Sequence, residues 1–221
     1  MRDWADWHAG YDDPSSSLAA RLERVRAHLR LALDRALAGP VRLVSLCAGQ
    51  GRDVIGVLPG HARRRDVSAI LIESDERNVA AARRGAADAG LSQLEVRQAD
   101  ASRASQFADA LPADVLLLCG IFGNISAIDI QRTVAAAPAL CSAGATVIWT
   151  RHRRAPDLTP DIRAWFGASG FDEVAFDALE TSTLVGVGVS RLRGGTDAGL
   201  PAAGLPAAGL PDEPLFTFRE A

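Results

Sequence analysis

Lysine is missing from this 221-residue sequence, because all 24 lysine and arginine positions are arginine. A Schiff-base mechanism needs a lysine amine, so lysine-bound pyridoxal phosphate chemistry is excluded. The same absence excludes a standard phosphate loop, which ends in Gly-Lys-Ser or Gly-Lys-Thr. Two common kinds of cofactor and nucleotide site are therefore ruled out before any motif is read.

Cysteine pairs, surplus charge and long apolar runs are also lacking. Cys47, Cys119 and Cys141 are far apart in the sequence, so neither a disulfide framework nor a metal site is predicted, and the cytoplasm is favoured. The formal net charge of −3 and the scattered arginines predict no nucleic-acid partner. The longest apolar run, 115–122, is too short to cross about 30 Å of hydrocarbon, and no apolar signal core is found, so we expect no membrane contact.

Short apolar strands alternate with helices along most of the chain. Strands are predicted at 41–46, 69–73, 94–98, 115–119, 145–150, 174–176 and 183–192, and helices at 52–58, 75–89, 102–110, 126–140 and 159–170. This alternation predicts an α/β fold, a doubly wound and mostly parallel sheet with helices on both faces. No helix separates the final two strands, which predicts an antiparallel last strand.

The predicted domain organisation has three parts. Residues 1–40 hold an aromatic leader and a helix, for which Asp13 is the predicted N-cap. Residues 41–193 form a Rossmann-like core. Residues 194–221 contain Ala-Gly-Leu-Pro three times, followed by an alternating pattern at 215–218 that predicts a short C-terminal strand.

Three features follow three successive predicted strands. The first strand runs into a turn in which Gly49 and Gly51 let a ligand approach bare backbone. Glu73 ends the second strand, about 20 positions on, where a carboxylate can accept from ribose hydroxyls. Asp100 follows the third strand, within reach of the exocyclic amine of a purine. Either acid alone could be a helix cap or a loop charge, but the three together favour a site for an adenosine-containing cofactor.

This arrangement resembles the class I S-adenosylmethionine-dependent methyltransferases, from about Val41 to Leu192. Residues 44–53 resemble the first motif of that family and residues 70–73 its second motif, while Ser45 and Cys47 replace an acid and a glycine that are common there. The resemblance implies that S-adenosyl-L-methionine is the cofactor. The cofactor-binding residues that it implies are Cys47, Ala48, Gly49, Gly51, Asp53, Glu73, Ser74, Asp100, Ala101, Cys119 and Gly120.

Residues beyond the fourth and fifth strands are candidates for binding the acceptor. Phe122 and Asn124 lie after the fourth strand, and the amide of Asn124 could hold an acceptor, with a simple connecting loop as the alternative. After the fifth strand, Arg151 could hold a carboxylate or phosphate, and His152 is a candidate general base because it titrates near neutrality. The alternative for this second stretch is a solvated basic loop.

The aromatic leader contains Trp4, Trp7, His8 and Tyr11. We predict that it covers the site, with Tyr11 against the substrate, because aromatic rings enclose apolar or cationic groups and keep them dry. The alternative is a leader that packs on the domain or on a second subunit, and a homodimer is left open.

The predicted function is direct methyl transfer from S-adenosylmethionine to a small-molecule acceptor, with an anionic acceptor as one option. Such a transfer depends mainly on alignment, so a general base is needed only if the acceptor carries a proton. One alternative is a non-catalytic module that binds the cofactor. A second is an NAD(P)-dependent oxidoreductase, which is disfavoured because Val54 stands where its fingerprint has glycine.

Overall fold

The computed structural model describes residues 8–181, 183–194 and 213–219. Trp4, Trp7 and the Ala-Gly-Leu-Pro repeats lie outside these ranges, as does the side chain of His8. In the described residues, the strands are β1 (Val41–Leu46), β2 (Val67–Glu73), β3 (Leu94–Gln98), β4 (Ala113–Leu118), β5 (Cys141–His152), β6 (Phe171–Leu179) and β7 (Val185–Leu192).

These strands form one sheet in the order β3-β2-β1-β4-β5-β7-β6. Strands β1 to β5 pair in parallel, whereas β7 is antiparallel to both of its neighbours, β5 and β6. The predicted doubly wound sheet with an antiparallel last strand is therefore confirmed. Chain order reverses direction between β1 and β4, and in an open α/β sheet ligands bind outside the strand ends at that point.

Helices cover both faces of the sheet. In the described residues, the α-helices are α1 (Ser17–Arg35), α2 (Arg52–Val57), α3 (Glu76–Asp88), α4 (Ala127–Leu140) and α5 (Thr159–Ala168), and 3-10 turns span His8–Tyr11, Leu58–Gly60 and Ala104–Ala110. One core packs Leu43 and Leu71 against the side of α1 to α3. The other packs Val44 and Leu46 toward α4 and α5. No helix in the described ranges combines the length and apolar character needed to span a bilayer.

An aromatic cluster fills the second core. Trp149 on β5 is stacked on Phe166 at 6.0 Å between ring centroids, and it lies 6.1 Å from Phe122 and 5.9 Å from Phe176. Gly188 on β7 lies against the indole ring, where any Cβ would clash with it. The large Trp149 side chain is therefore accommodated because the neighbouring strand has glycine at that point.

Side-chain caps fix the N-termini of helices α1 and α4, and the cap of α1 differs from the prediction. Ser16 is the N-cap of α1, with its side chain accepting the Ala19 N–H, so the prediction of Asp13 is wrong. Asp13 instead accepts from the N–H and the hydroxyl of Ser15 within the preceding turn. Ser126 is the N-cap of α4, since its hydroxyl accepts the Asp129 N–H at 3.0 Å.

The chain near its end contributes only a single antiparallel bridge, between Ile125 and Phe218. Leu215 and Phe216 are buried in the second core. The short C-terminal strand predicted at 215–218 is therefore reduced, in the described residues, to one bridge on an anchored segment.

Candidate functional site

The turn after β1 is held in a left-handed backbone conformation at alternate residues. Cys47, Gly49 and Gly51 have φ values of 52°, 57° and 66°. Left-handed backbone costs an L-residue about 1–2 kcal/mol, so Cys47 keeps the shape of the turn at an energetic cost.

Gly51 is required by packing as well as by its φ. It is the N-cap of α2, and a Cβ added there would lie 2.5 Å from Cδ2 of Leu71 on β2. Glycine at this position therefore lets α2 pack closely against β2. Gly51, which was predicted to bind cofactor, does not line the cavity formed by the turn.

Glu73 closes that turn from the end of β2. Its side chain is 9% exposed. One carboxylate oxygen accepts the Gly49 N–H at 2.7 Å, and the other accepts the N–H groups of Ser74 and Asp75, both at 2.9 Å. A carboxylate offers about four acceptor positions, so about one position remains for a further donor.

A cleft of about 160 Å³ opens beside this turn, here called the glycine-turn cleft. Its lining residues are Tyr11, Arg21, Ser45, Cys47, Ala48, Gly49, Asp53, Glu73, Ser74, Asn78, Cys119, Gly120 and Phe218. The cleft brings together eight of the predicted cofactor-binding residues, which are Cys47, Ala48, Gly49, Asp53, Glu73, Ser74, Cys119 and Gly120.

Asp100 and Ala101, the remaining predicted cofactor residues, lie outside the lining of the cleft. The Asp100 carboxylate accepts the Ser102 N–H at 2.9 Å and lies 3.7 Å from Arg103, and its side chain is 54% exposed. Its charge still acts on Cys47, so it lies near the same edge of the sheet. An adenine contact by Asp100 remains a prediction.

The thiols in the glycine-turn cleft are poor nucleophiles. Burial raises the pKa of Cys47 well above its ordinary value, and the charges of Glu73 and Asp100 raise it further. Burial likewise raises the pKa of Cys119, and the Asp53 charge adds to this effect. Since the thiolate is the reactive form, both cysteines are suited to packing against a ligand and poorly suited to covalent chemistry.

Opposite charges meet at one end of the cleft. Burial raises the pKa of the Asp53 carboxyl, while the Val54 N–H and the guanidinium groups of Arg26 and Arg21 oppose the shift. Arg21 reaches the same end from α1 and donates to the hydroxyl of Tyr11. This end of the cleft therefore presents one carboxylate and one guanidinium to a ligand.

Tyr11 is the leader residue that lines the glycine-turn cleft in the described part of the chain. Tyr11 lies between two guanidinium groups, with Arg21 and Arg52 at 5.8 and 5.5 Å from its ring centroid. Arg52 also pairs with Asp12 at 2.6 Å, which ties the leader to the start of α2. Burial raises the pKa of the Tyr11 phenol, against the opposing charge of Arg21.

A second cavity of about 570 Å³ lies beyond β4 and β5, here called the arginine cavity. It shares Arg21 and Gly120 with the glycine-turn cleft. Its other lining residues are Ser17, Leu18, Gly123, Asn124, Thr150, Arg151, His152, Arg154, Ala155, Thr183 and Val185. None of the described residues that line it is acidic.

Arg151 is buried in the wall of the arginine cavity, with 6% of its surface exposed. One guanidinium nitrogen donates to the Phe122 carbonyl, but the buried Nε has no hydrogen-bond partner. Burial and the charge of Arg219 lower the pKa of Arg151. An unpaired buried charged donor is costly, so Arg151 holds its charge here at an energetic cost.

His152 follows Arg151 at the end of β5. Burial lowers its pKa, and the charges of Arg151 and Arg154 lower it further. Its buried Nδ1 has no hydrogen-bond partner among the described residues. His152 is therefore neutral at neutral pH and can accept a proton.

The other two acceptor candidates are used by the protein itself. The Asn124 side-chain amide donates to the Gly120 carbonyl at 2.7 Å, which holds the loop after β4, although Asn124 does line the arginine cavity. Phe122 differs from its predicted role, because its side chain is fully buried against Trp149 and lines neither cavity. It serves the second core.

Several site residues escaped the sequence analysis. Arg21 belongs to the polar face of α1, and Phe218 is distant in sequence, so neither carried a signal. Asn78 did carry a signal in the sequence, because it shares the buried face of α3 with Ala82 and Ala86, where a polar residue is unusual. Its Oδ1 is buried in the glycine-turn cleft without a hydrogen-bond partner.

No family model matches this sequence, and no curated protein matches it. Solved structures do match the fold. An O-methyltransferase family protein from Burkholderia thailandensis has a TM-score of 0.61 at 16% identity, over 83% of this chain and 58% of its own. Magnesium protoporphyrin IX methyltransferase from Synechocystis PCC 6803, crystallised with bound SAM, has a TM-score of 0.64 at 13% identity, over 87% of this chain and 98% of its own.

A third match is precorrin-6y C5,15-methyltransferase from Geobacter metallireducens, with a TM-score of 0.57 at 12% identity, over 77% of this chain and 88% of its own. At identities this low, the likeness establishes the fold and leaves the activity to be argued from the site. This chain has the fold of the class I methyltransferases.

Proposed function

We propose that this protein is an S-adenosylmethionine-dependent methyltransferase that transfers the methyl group directly to a small anionic acceptor. The observation that carries the proposal is the contact between Glu73 and the Gly49 N–H at 2.7 Å. It joins the acid at the end of β2 to the left-handed turn after β1, at the point where chain order reverses. The Synechocystis methyltransferase of the same fold was crystallised with bound SAM, which supports this cofactor.

The residues of the glycine-turn cleft fit the parts of that cofactor. Glu73 has an acceptor position left for a ribose hydroxyl. Asp53 and Arg21 offer opposite charges to the ammonium and carboxylate of an amino acid. The partnerless Oδ1 of Asn78 is a buried acceptor that a ligand donor would satisfy. The cleft thus supplies acceptors and charges that match an amino-acid nucleoside.

The arginine cavity fits an anion. Arg21, Arg151 and Arg154 line it, and no described acid does. A guanidinium group holds a carboxylate or phosphate through paired donors, so these residues would orient the acceptor toward the shared wall at Gly120. S-adenosylmethionine, when bound, supplies a methyl group that its positive sulfur activates for displacement.

The protein itself has to align the two partners and exclude water. Alignment alone can contribute about 7–11 kcal/mol toward the barrier. Arg151 would fix the acceptor, and the leader around Tyr11 would cover the cofactor side. If the acceptor carries a proton, neutral His152 would accept it at its imidazole.

The test is binding followed by turnover. Calorimetry should detect S-adenosylhomocysteine binding to the folded full chain, and NADPH should produce no heat. A panel of small carboxylates and phosphates, incubated with S-adenosylmethionine, should yield a methylated product by mass spectrometry. Folded protein that binds NADPH in place of S-adenosylhomocysteine would contradict the proposal, whereas cofactor binding without any product would favour the non-catalytic module.

A further inference from the structure

The segment 213–219 crosses the loops at the carboxyl edge of the sheet. The Leu215 N–H donates to the Ser102 carbonyl at 2.8 Å, just after β3. The Arg219 N–H donates to the Asn124 carbonyl at 2.9 Å, beyond β4. Leu215 and Phe216 are buried in the second core. The segment is therefore anchored at two points, and its path leads from the β3 loop toward the two cavities.

The backbone of Phe218 takes part in this anchoring through its bridge to Ile125. Its ring packs edge-on against Phe216 at 5.4 Å between centroids. It is nevertheless 43% exposed, and it lines the glycine-turn cleft together with Glu73 and Gly120. A large ring left half uncovered at the wall of a cleft gains most when a flat ligand covers it.

Arg219, the next residue, is held beside the arginine cavity, because its N–H donates to the carbonyl of Asn124, which lines that cavity. It lowers the pKa values of both Arg151 and His152, so it lies near the wall that they form. No carboxylate in the described residues lies within ion-pair distance of Arg219. The segment therefore brings one ring to the glycine-turn cleft and one unneutralised charge to the arginine cavity.

We propose that the segment 213–219 is a working part of the site, in which Phe218 binds the adenosyl group of the cofactor and Arg219 positions the anionic acceptor. The inference rests on the proposed function and adds two residues that lie far along the chain from every motif of the core. Leu215 and Phe216 anchor the segment through burial, whereas the side chains of Phe218 and Arg219 are both exposed.

The cofactor half is tested by calorimetry with S-adenosylhomocysteine on full-length variants. Phe218→Ala should weaken binding by on the order of tenfold, the scale of a base stacked on an aromatic ring. Phe218→Tyr, which keeps the ring, and the exposed neighbour Thr217→Ala should bind as the unaltered chain does. Unfolding temperatures of all variants check that the fold is intact.

Two outcomes separate the inference from the proposed function. If Phe218→Ala binds normally while Glu73→Ala does not, the role of Phe218 is overturned and the proposed function stands. If the unaltered chain binds no S-adenosylhomocysteine, the proposed function fails, and the cofactor role of Phe218 fails with it.

The acceptor half has a test that needs neither cofactor nor acceptor. The imidazole of His152 is titrated by NMR in Arg219→Gln and in Arg30→Gln, an exposed arginine that lines neither cavity. Removing the nearby charge in Arg219→Gln should raise the pKa of His152, whereas Arg30→Gln should leave it unchanged. A His152 titration that is identical in all three proteins would overturn the placement of Arg219 at the arginine cavity.

Discussion

The glycine-turn cleft and the arginine cavity meet at Arg21 and Gly120, but their other charged residues have opposite signs. The glycine-turn cleft presents the carboxylates of Glu73 and Asp53 and a left-handed backbone turn. The arginine cavity presents guanidinium groups, with Arg151 buried and no acid in its described lining. This separation of charge favours a methyl donor with cationic groups in the glycine-turn cleft and an anionic acceptor in the arginine cavity. The two ligands would then meet at the wall that the cavities share.

The cavities also differ in how they are built. The glycine-turn cleft is formed mainly at the ends of β1 and β2, which are paired parallel strands. The arginine cavity combines α1, the loop after β4, the end of β5 and a residue before β7. Both cavities therefore include the ends of paired strands, and each is completed by elements that are distant along the chain. The predictions below test whether the two cavities can be disabled separately.

Glu73→Ala should have the largest effect. We expect it to lower affinity for the cofactor and to leave the arginine cavity unchanged. Three backbone amides, those of Gly49, Ser74 and Asp75, would lose their acceptor. These unsatisfied amides should lower the free energy of unfolding. The lost contact to the ribose, a hydrogen bond to a charged group that contributes about 1.5–3 kcal/mol, should lower affinity for S-adenosylhomocysteine by on the order of a hundredfold.

Calorimetry measures this loss, with Glu76→Ala as the matched control at an exposed carboxylate. Unchanged affinity in a folded Glu73→Ala protein would break the assignment of the glycine-turn cleft to the cofactor.

Arg151→Gln should affect the acceptor alone. A hydrogen bond to a charged group contributes about 1.5–3 kcal/mol, so kcat/KM for the anionic acceptor that the panel identifies should fall roughly 10- to 150-fold. Affinity for S-adenosylhomocysteine should stay within about twofold of the unaltered value, because Arg151 does not line the glycine-turn cleft.

Arg30→Gln is the control for a loss of charge alone. Equal losses of acceptor turnover and cofactor affinity in Arg151→Gln would mean that the two cavities act as one.

Gly51→Ala should disturb the framework of the first cavity. A φ of 66° and a contact of 2.5 Å with Leu71 make any Cβ costly there. We expect the free energy of unfolding to fall by about 1–3 kcal/mol, measured by urea denaturation.

Gly167→Ala provides the opposite control, since this residue lies in α5 with open space around it. It should stabilise the protein by about 0.5–1 kcal/mol. A Gly51→Ala protein as stable as Gly167→Ala would show that the turn tolerates a side chain.

The smallest effect concerns pH and the second cavity. The pKa of His152 is lowered by burial and by the neighbouring arginines, so the unfolded chain takes up its proton first as pH falls. The contribution of neutral His152 to the free energy of unfolding is therefore complete above the ordinary histidine pKa of about 6.5. This contribution is lost as the pH falls below that value through the lowered pKa of the folded protein.

Urea denaturation between about pH 5 and 8 measures this slope. His152→Gln should flatten it, because the titrating imidazole is removed. A slope that His152→Gln leaves unchanged would contradict the lowered pKa.

The sequence located two strands correctly at both ends. β1 and β3 have the predicted bounds, 41–46 and 94–98. β6 proved longer than predicted, because it is an edge strand with many exposed side chains and so lacks a strong apolar pattern. β5 also begins earlier, where its first residues alternate between buried and exposed.

The candidate site likewise contains residues that the sequence predicted and residues that it did not. Gly49 and Glu73 were predictable, because local sequence places them at the ends of strands that pair. Phe122 was misplaced, since its position in a loop gave no indication that its ring would pack on Trp149. Asn78 offered a signal on the buried face of a helix, but only the structure connects that face with the glycine-turn cleft.

The sequence by itself determined the alternation of strands and helices, the left-handed turn and the acid that closes it. These depend on backbone conformation and on the spacing of apolar residues, which are local properties. Only the tertiary structure brought Arg21, Arg151 and the 213–219 segment to one edge of the sheet. Their meeting depends on packing between elements that are distant along the chain, and no local pattern records which distant surfaces will touch.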